Sequence, residues 1–194
     1  MANGIYAGYR AETNNRGNEL IFDADTRKHI EDAAKWLINP NGKIGLFLIG
    51  APGNGKTTLM RGIARLIEHI TEVELGYSRR IAPKYCTARD VNRISTNDGR
   101  AAEYEELIRT PILCLDELGQ EATEVLRYGN VETPVIDLLL TRYDKQRMTI
   151  VATNLAQDDL IAKYNERTYD RLKEMMEVIT FRQDSYRGRL KRIV

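Results

Sequence analysis

The chain reads as an α/β protein, a parallel sheet sandwiched between helices, and three observations predict it. Apolar runs at 44–49, 112–115 and 149–152 are of strand length and lack the alternation of a half-solvated sheet, as strands buried on both faces do. Stretches with helical periodicity separate them, and strands alternating with helices imply parallel pairing with helical crossovers. Between the first run and an amphipathic stretch lies Gly50-Ala51-Pro52-Gly53-Asn54-Gly55-Lys56-Thr57, a glycine loop in strand-to-helix context.

The elements follow in order. Residues 1–19 are polar and carry Gly4, Gly8, Asn14, Asn15 and Gly17; they read as an arm or loop ahead of one domain over 20–194. Asp23 or Asp25 can cap a helix running to about Leu37, with Ile30, Ala33, Ala34 and Leu37 inward. Asn39-Pro40-Asn41-Gly42 ends that helix with turn chemistry. Strand 44–49, the glycine loop and a helix over 57–70 come next, then a strand around 81–87. Short helices near 88–94 and 100–109 precede the strand at 112–115. A helix over 131–145, the strand at 149–152, helices near 156–163 and 166–176, a strand at 178–182 and a basic tail complete the order.

At 194 residues the chain is long enough for one substantial core. No apolar run approaches the roughly 20 residues of a membrane span, and the start has neither the basic nor the apolar region of a secretory signal. Cys86 and Cys114 lack metal-site spacing and read as reduced residues of a cytoplasmic protein. His29 and His69, far apart on expected helices, read as structural or surface groups. The formal net charge is +1, so a nucleic-acid site would have to be a local basic patch.

The glycine loop has a defined chemistry. Gly50, Gly53 and Gly55 permit positive φ and let backbone N–H groups face phosphate oxygens. The helix that follows, over 57–70, adds the partial positive charge of its N-terminus, with Ala51, Pro52, Asn54 and Thr58 completing the cradle. Lys56 can reach β- and γ-phosphates, and the Thr57 hydroxyl can ligate Mg²⁺. Asp116 and Glu117 close the second apolar strand, at the carboxyl end where open α/β sheets bind ligands. Asp116 suits Mg²⁺, directly or through water, and Glu117 suits a general base acting on the attacking water. Asn154, after the next strand, either holds that water with a neutral amide or caps the following helix.

With the glycine loop, Leu115-Asp116-Glu117-Leu118-Gly119, Arg142-Tyr143, Ala152-Thr153-Asn154-Leu155, Asp170-Arg171-Leu172 and Ser185-Tyr186-Arg187-Gly188 form an ordered set. The set resembles the AAA+ ATPase domain of bacterial replicative helicase loaders of the DnaC/DnaI type, and of the related IstB-type transposition helpers. It covers roughly residues 20–190. The resemblance implies a Mg²⁺-dependent ATPase of the P-loop NTPase (AAA+) fold that assembles into nucleotide-dependent homo-oligomers. It makes Arg171 an arginine finger completing a neighbour's site, and Arg187 a nucleotide contact in cis. A guanidinium suits the charge spread over a phosphoryl-transfer transition state. Without the resemblance, Arg167, Arg171 and Glu174 are also a helix-spaced surface set.

The resemblance further implies DNA, expected to be single-stranded, and a helicase or transposase as partner protein. Two basic clusters are candidates for the DNA surface: Arg79, Arg80, Lys84, Arg89 and Arg93 beside Tyr77 and Tyr85, and the tail Arg187, Arg189, Lys191 and Arg192. Tyrosines there could stack on bases, though each cluster alone also fits a solvated basic face. The helicase loaders carry a docking domain ahead of the ATPase, whereas here about twenty residues precede the first expected helix. Two other functions compete: a P-loop nucleotide kinase, and an ATP-switched binding module in which hydrolysis is incidental.

Overall fold

The computed structural model describes residues 1–39, 42–71, 81–127, 130–182, 185, 186 and 188. Its elements are α1 (Ala2–Asn15), α2 (Ala24–Ile38), β1 (Gly45–Gly50), α3 (Lys56–His69), β2 (Lys84–Thr87), α4 (Ala88–Ser95), α5 (Ala101–Arg109), β3 (Ile112–Leu118), the hairpin β4 (Val125–Arg127) and β5 (Asn130–Glu132), α6 (Pro134–Asp144), β6 (Met148–Thr153), α7 (Gln157–Tyr164), α8 (Glu166–Met175) and β7 (Met176–Phe181). Five strands form one parallel sheet in the order β2-β3-β6-β1-β7.

Alternation along the strands divides the core into two layers. Leu46 and Leu48 of β1, Cys114 of β3 and Ile150 and Ala152 of β6 pack with α1, α2 and α3. Phe47, Ile49, Leu113, Leu115 and Val151 point the other way, against α4 to α8. Both faces are thus buried, which is why these strands carry unbroken apolar runs. Asp23 caps α2 by accepting from the Thr26 N–H at 2.9 Å.

Residues 1–19, expected as an arm or loop, instead open with α1, which lies along α3. Glycines are poor helix formers, and here they serve contact. A Cβ on Gly8 would lie 2.5 Å from the Gly62 carbonyl oxygen, and one on Gly62 would lie 2.8 Å from the Tyr9 nitrogen. Only glycine at both positions lets the two backbones touch. Ile5 and Tyr9 are then buried against α3. The hairpin β4–β5 was not expected either; its paired Leu126 and Val131 are exposed.

Arg142, in the last turn of α6, is fully buried. It donates to the carbonyls of Leu107 (2.7 Å), Ile108 (3.3 Å), Thr110 (2.8 Å) and Met148 (2.7 Å), and to Thr149 Oγ1 (2.9 Å). It therefore caps the carbonyl end of α5 and ties it to the start of β6. Burial pushes its pKa down to about 10, still far above neutrality.

Candidate nucleotide-binding site

The glycine loop leaves β1 and turns into α3 at Gly55, whose φ of +99° is left-handed. α3 begins with no side-chain cap and no acidic residue in its first turn. A helix N-terminus of this kind, positive and without an acidic side chain, suits an anion. Lys56 is buried, and its Nζ donates to the carbonyls of Gly50 (2.6 Å) and Ala51 (2.8 Å) and to Asn54 Oδ1 (3.1 Å). Asn54 in turn donates to the Phe181 carbonyl of β7 at 3.3 Å. The loop is therefore held in shape by its own lysine and by the neighbouring strand.

Pro52 to Thr58 line a pocket of about 290 Å³ together with Asp116, Glu117 and Asn154. Gly50 and Ala51, also expected in the cradle, do not line it; their carbonyls accept from Lys56 instead. Asp116 Oδ2 accepts from Thr57 Oγ1 at 2.8 Å, so the two expected Mg²⁺ ligands already meet. Asp116 Oδ1 accepts from the Glu117 N–H at 2.8 Å.

Glu117 owes its position to a bulge. β3 and β6 pair as Leu115↔Val151 and again as Leu118↔Thr153, leaving one extra residue on β3. Glu117 takes φ +58° there, a backbone that non-glycine residues seldom adopt. Bulges of this kind re-aim side chains beside functional sites. The loop that follows is anchored from the far side: Glu121 is buried, accepts from the Gly119 N–H at 2.8 Å and from the Tyr164 hydroxyl of α7. Lys163 Nζ adds a bond to the Glu121 carbonyl at 2.7 Å.

β6 lies between β1 and β3, which brings Asn154 from its end onto the pocket wall. The cap alternative for this residue fails. α7 begins after Ala156, with no side-chain cap.

Arg171 does not line the pocket. It is exposed on α8, on the α4–α8 side of the sheet, and among the described residues its guanidinium has no hydrogen bond or ion pair. Arg187 lies outside the described residues. Its neighbour Tyr186 is described: the backbone N–H donates to the Gly53 carbonyl at 2.9 Å, and the hydroxyl reaches Asp23 at 3.0 Å and meets Thr26 Oγ1 at 3.0 Å. Tyr186 is thus stitched to the glycine loop and to the start of α2.

The basic clusters fare differently. Arg79, Arg80 and Tyr77, and Arg189, Lys191 and Arg192 of the tail, lie outside the described residues. Lys84 is paired with Glu106 at 2.6 Å and Arg93 with Asp90 at 3.7 Å, while Arg89 donates to the Gln120 carbonyl at 2.9 Å. Tyr85 is part-exposed, with the Arg61 guanidinium 5.6 Å from its ring centroid.

Sequence reasoning missed one wall of the pocket. Tyr9 and Thr13 of α1, its C-cap Arg16, then Asn18, Leu20 and Ile21, and finally Tyr186, all line it. The signal was present, since Tyr9, Thr13 and Arg16 recur at helical spacing. Loop-like glycines and asparagines masked it.

These features belong to the P-loop NTPase fold, with the glycine loop and its pocket at the carboxyl edge of a parallel sheet. The profile of the ATPase family associated with various cellular activities (AAA) matches residues 46–179, and the chain belongs to that family. Solved structures share its fold. The crystal structure of the DnaC helicase loader is 19% identical with a TM-score of 0.64, over 90% of this chain and 98% of that one. The DnaI crystal structure is 19% identical with a TM-score of 0.67, over 87% of each chain. The replication initiator DnaA bound to AMPPCP and single-stranded DNA is 16% identical with a TM-score of 0.59, over 85% of this chain and 49% of that one. No curated protein matches the chain in sequence. Among the described residues no helix is long and apolar enough to cross a membrane.

Proposed function

We propose that the protein is an ATP-binding and ATP-hydrolysing member of this family that acts in DNA replication, binding single-stranded DNA and loading or remodelling a hexameric helicase. The observation that carries the ATPase part is convergence: Lys56 and Thr57, Asp116 and Glu117, and Asn154 come from the ends of three strands to one pocket. Thr57 and Asp116 would hold Mg²⁺, whose chemistry there is neutralisation of charge on the β- and γ-oxygens. Lys56 would turn from its loop carbonyls to the phosphates. Glu117 would take the proton of the attacking water, and Asn154 would position that water. Arg187 would contact the nucleotide in cis.

Arg171 would act on a neighbour's nucleotide, because its own pocket lies elsewhere and its guanidinium is exposed. A lone subunit would then hydrolyse slowly, and a homo-oligomer would complete the site. The replication part rests on the ordered motifs and on the helicase loaders and the DNA-bound initiator among the similar structures. A transposition helper acting on duplex DNA and a transposase is the second reading, supported by the same motifs. A kinase would need an acceptor pocket in place of the Asp116–Glu117–Asn154 wall.

The test is the ATPase rate against protein concentration, with and without single-stranded and duplex DNA. The expected result is a steep concentration dependence that Arg171→Ala loses and that mixing Arg171→Ala with Lys56→Ala partly restores. Glu117→Gln should keep ATP binding and lose turnover. Phosphate transfer to a nucleoside monophosphate without net hydrolysis would overturn the reading.

A further inference from the structure

α1 runs antiparallel to α3: Gly4 packs on Leu66, Gly8 on Gly62, and the Tyr9 hydroxyl rests over Gly55. Its C-terminal end therefore arrives where α3 begins and the phosphates would enter. One turn beyond Tyr9, Glu12 is buried at 4% exposure. Its Oε1 accepts from Arg16 Nη2 at 3.2 Å and Arg61 Nη1 at 3.1 Å, and its Oε2 from Arg65 Nη2 at 3.3 Å. One carboxylate thus faces three guanidiniums, and the cluster carries two positive charges beyond what Glu12 neutralises.

Of the three arginines, only Arg16 lines the pocket. A guanidinium has five N–H donors, and among the described residues Arg16 commits one of them, to Glu12. Its side chain is 41% exposed, its other donors are not engaged by the described residues, and it lines the pocket into which the start of α3 points. An anion in that pocket would engage the donors that Glu12 leaves over.

We propose that Arg16 is a nucleotide-binding residue: it stands at the end of α1 as a cation for the phosphate chain, from outside the glycine-loop motif. This rests on the reading that the pocket takes a nucleoside triphosphate. It adds an N-terminal contribution to the cis site, and it makes Glu12 a competitor of the phosphates for Arg16.

Equilibrium binding of ATP and of inorganic tripolyphosphate to the full chain tests the proposal. Arg16→Ala should weaken both ligands by roughly tenfold or more, the scale of a charge-assisted hydrogen bond lost. Its ligand-free melting point should stay near wild type, and Arg16→Lys should recover part of the loss. Glu12→Gln should leave binding unchanged or tighter, since it removes the competitor. If Arg16 only steadies the end of α1, Arg16→Ala and Glu12→Gln will lower stability together while both bind like wild type, and the proposal falls. It also falls if Arg16→Ala weakens ATP but not tripolyphosphate, which would place the contact on base or sugar. A wild-type protein that binds no nucleoside triphosphate overturns the underlying reading instead. Wild-type binding lost in Lys56→Ala but kept in Arg16→Ala overturns this inference alone.

Discussion

Arg142 and Arg171 stand on helices of the same side of the sheet, and their surroundings are opposite. Arg142 is fully buried and satisfied by four backbone carbonyls and a threonine hydroxyl. Arg171 is exposed, without a hydrogen bond or ion pair among the described residues. Both belong to the ordered motif set, so motif membership alone does not say what a charged residue does. A guanidinium on which carbonyls converge is building material, because removing it orphans every acceptor at once. One that nothing engages is available to another molecule.

The contrast can be broken by mutation. Arg171→Ala should lower the ATPase rate at high protein concentration by about 10³-fold, the lower end of the range for an arginine finger. Its unfolding free energy should stay within about 0.5 kcal/mol of wild type, as for other exposed sites. Arg142→Met should do the reverse. It keeps much of the volume but leaves the end of α5 and the start of β6 without donors, at a cost of about 3–5 kcal/mol in urea unfolding. An Arg142→Met protein as stable as wild type but inactive would exchange the two roles.

Between these extremes lies Tyr164, whose hydroxyl holds the buried Glu121 behind the Asp116–Glu117 loop. Burial and the neighbouring carboxylate both push its pKa upward, so it stays a donor. Tyr164→Phe should cost about 1–2 kcal/mol of stability, the scale of one buried hydrogen bond lost with an acceptor stranded. Because the bulge that aims Glu117 is anchored through Glu121, kcat should fall several-fold while KM for ATP holds. A KM change at constant kcat would place Tyr164 with binding and not with the geometry of the water.

What the sequence disclosed follows from the range of the forces involved. Buried parallel strands announce themselves through apolar runs, and the residues at their ends could be assigned because strand ends fix position. Thr57 and Asp116 were legible in this way from 59 residues apart. α1 was not. Gly4, Gly8, Asn14 and Asn15 are local signals for a loop, each unfavourable to helix, and only the partner α3 reverses their meaning by needing the space that Gly8 and Gly62 leave. The hairpin β4–β5 and the Glu121–Tyr164 bond were invisible for the same reason: three-residue strands and pairs distant in sequence have no periodicity. The cap reading of Asn154 needed only the start of α7 to be resolved.

The smallest effect concerns His29, on the α2 side of the sheet and remote from both arginines. Its ring stacks on Phe181 at 4.0 Å between centroids, and Nε2 meets the Thr180 carbonyl at 3.3 Å. Nδ1 is buried without a partner among the described residues. Burial, opposed by the Thr180 carbonyl and by Asp25 and Asp32 and aided by Lys28, holds its pKa below the ordinary value near 6.5. The unfolded chain therefore takes up the proton first. The stability from neutral His29 is complete above about pH 6.5 and declines as the pH falls from there toward the folded pKa, by about 1.4 kcal/mol for each unit of difference. The urea midpoint should fall between pH 7 and pH 5, and His29→Gln should flatten that slope while losing some stability at pH 7 through the lost stacking. An unchanged slope in His29→Gln would assign the titration to carboxylates and leave His29 a packing residue only.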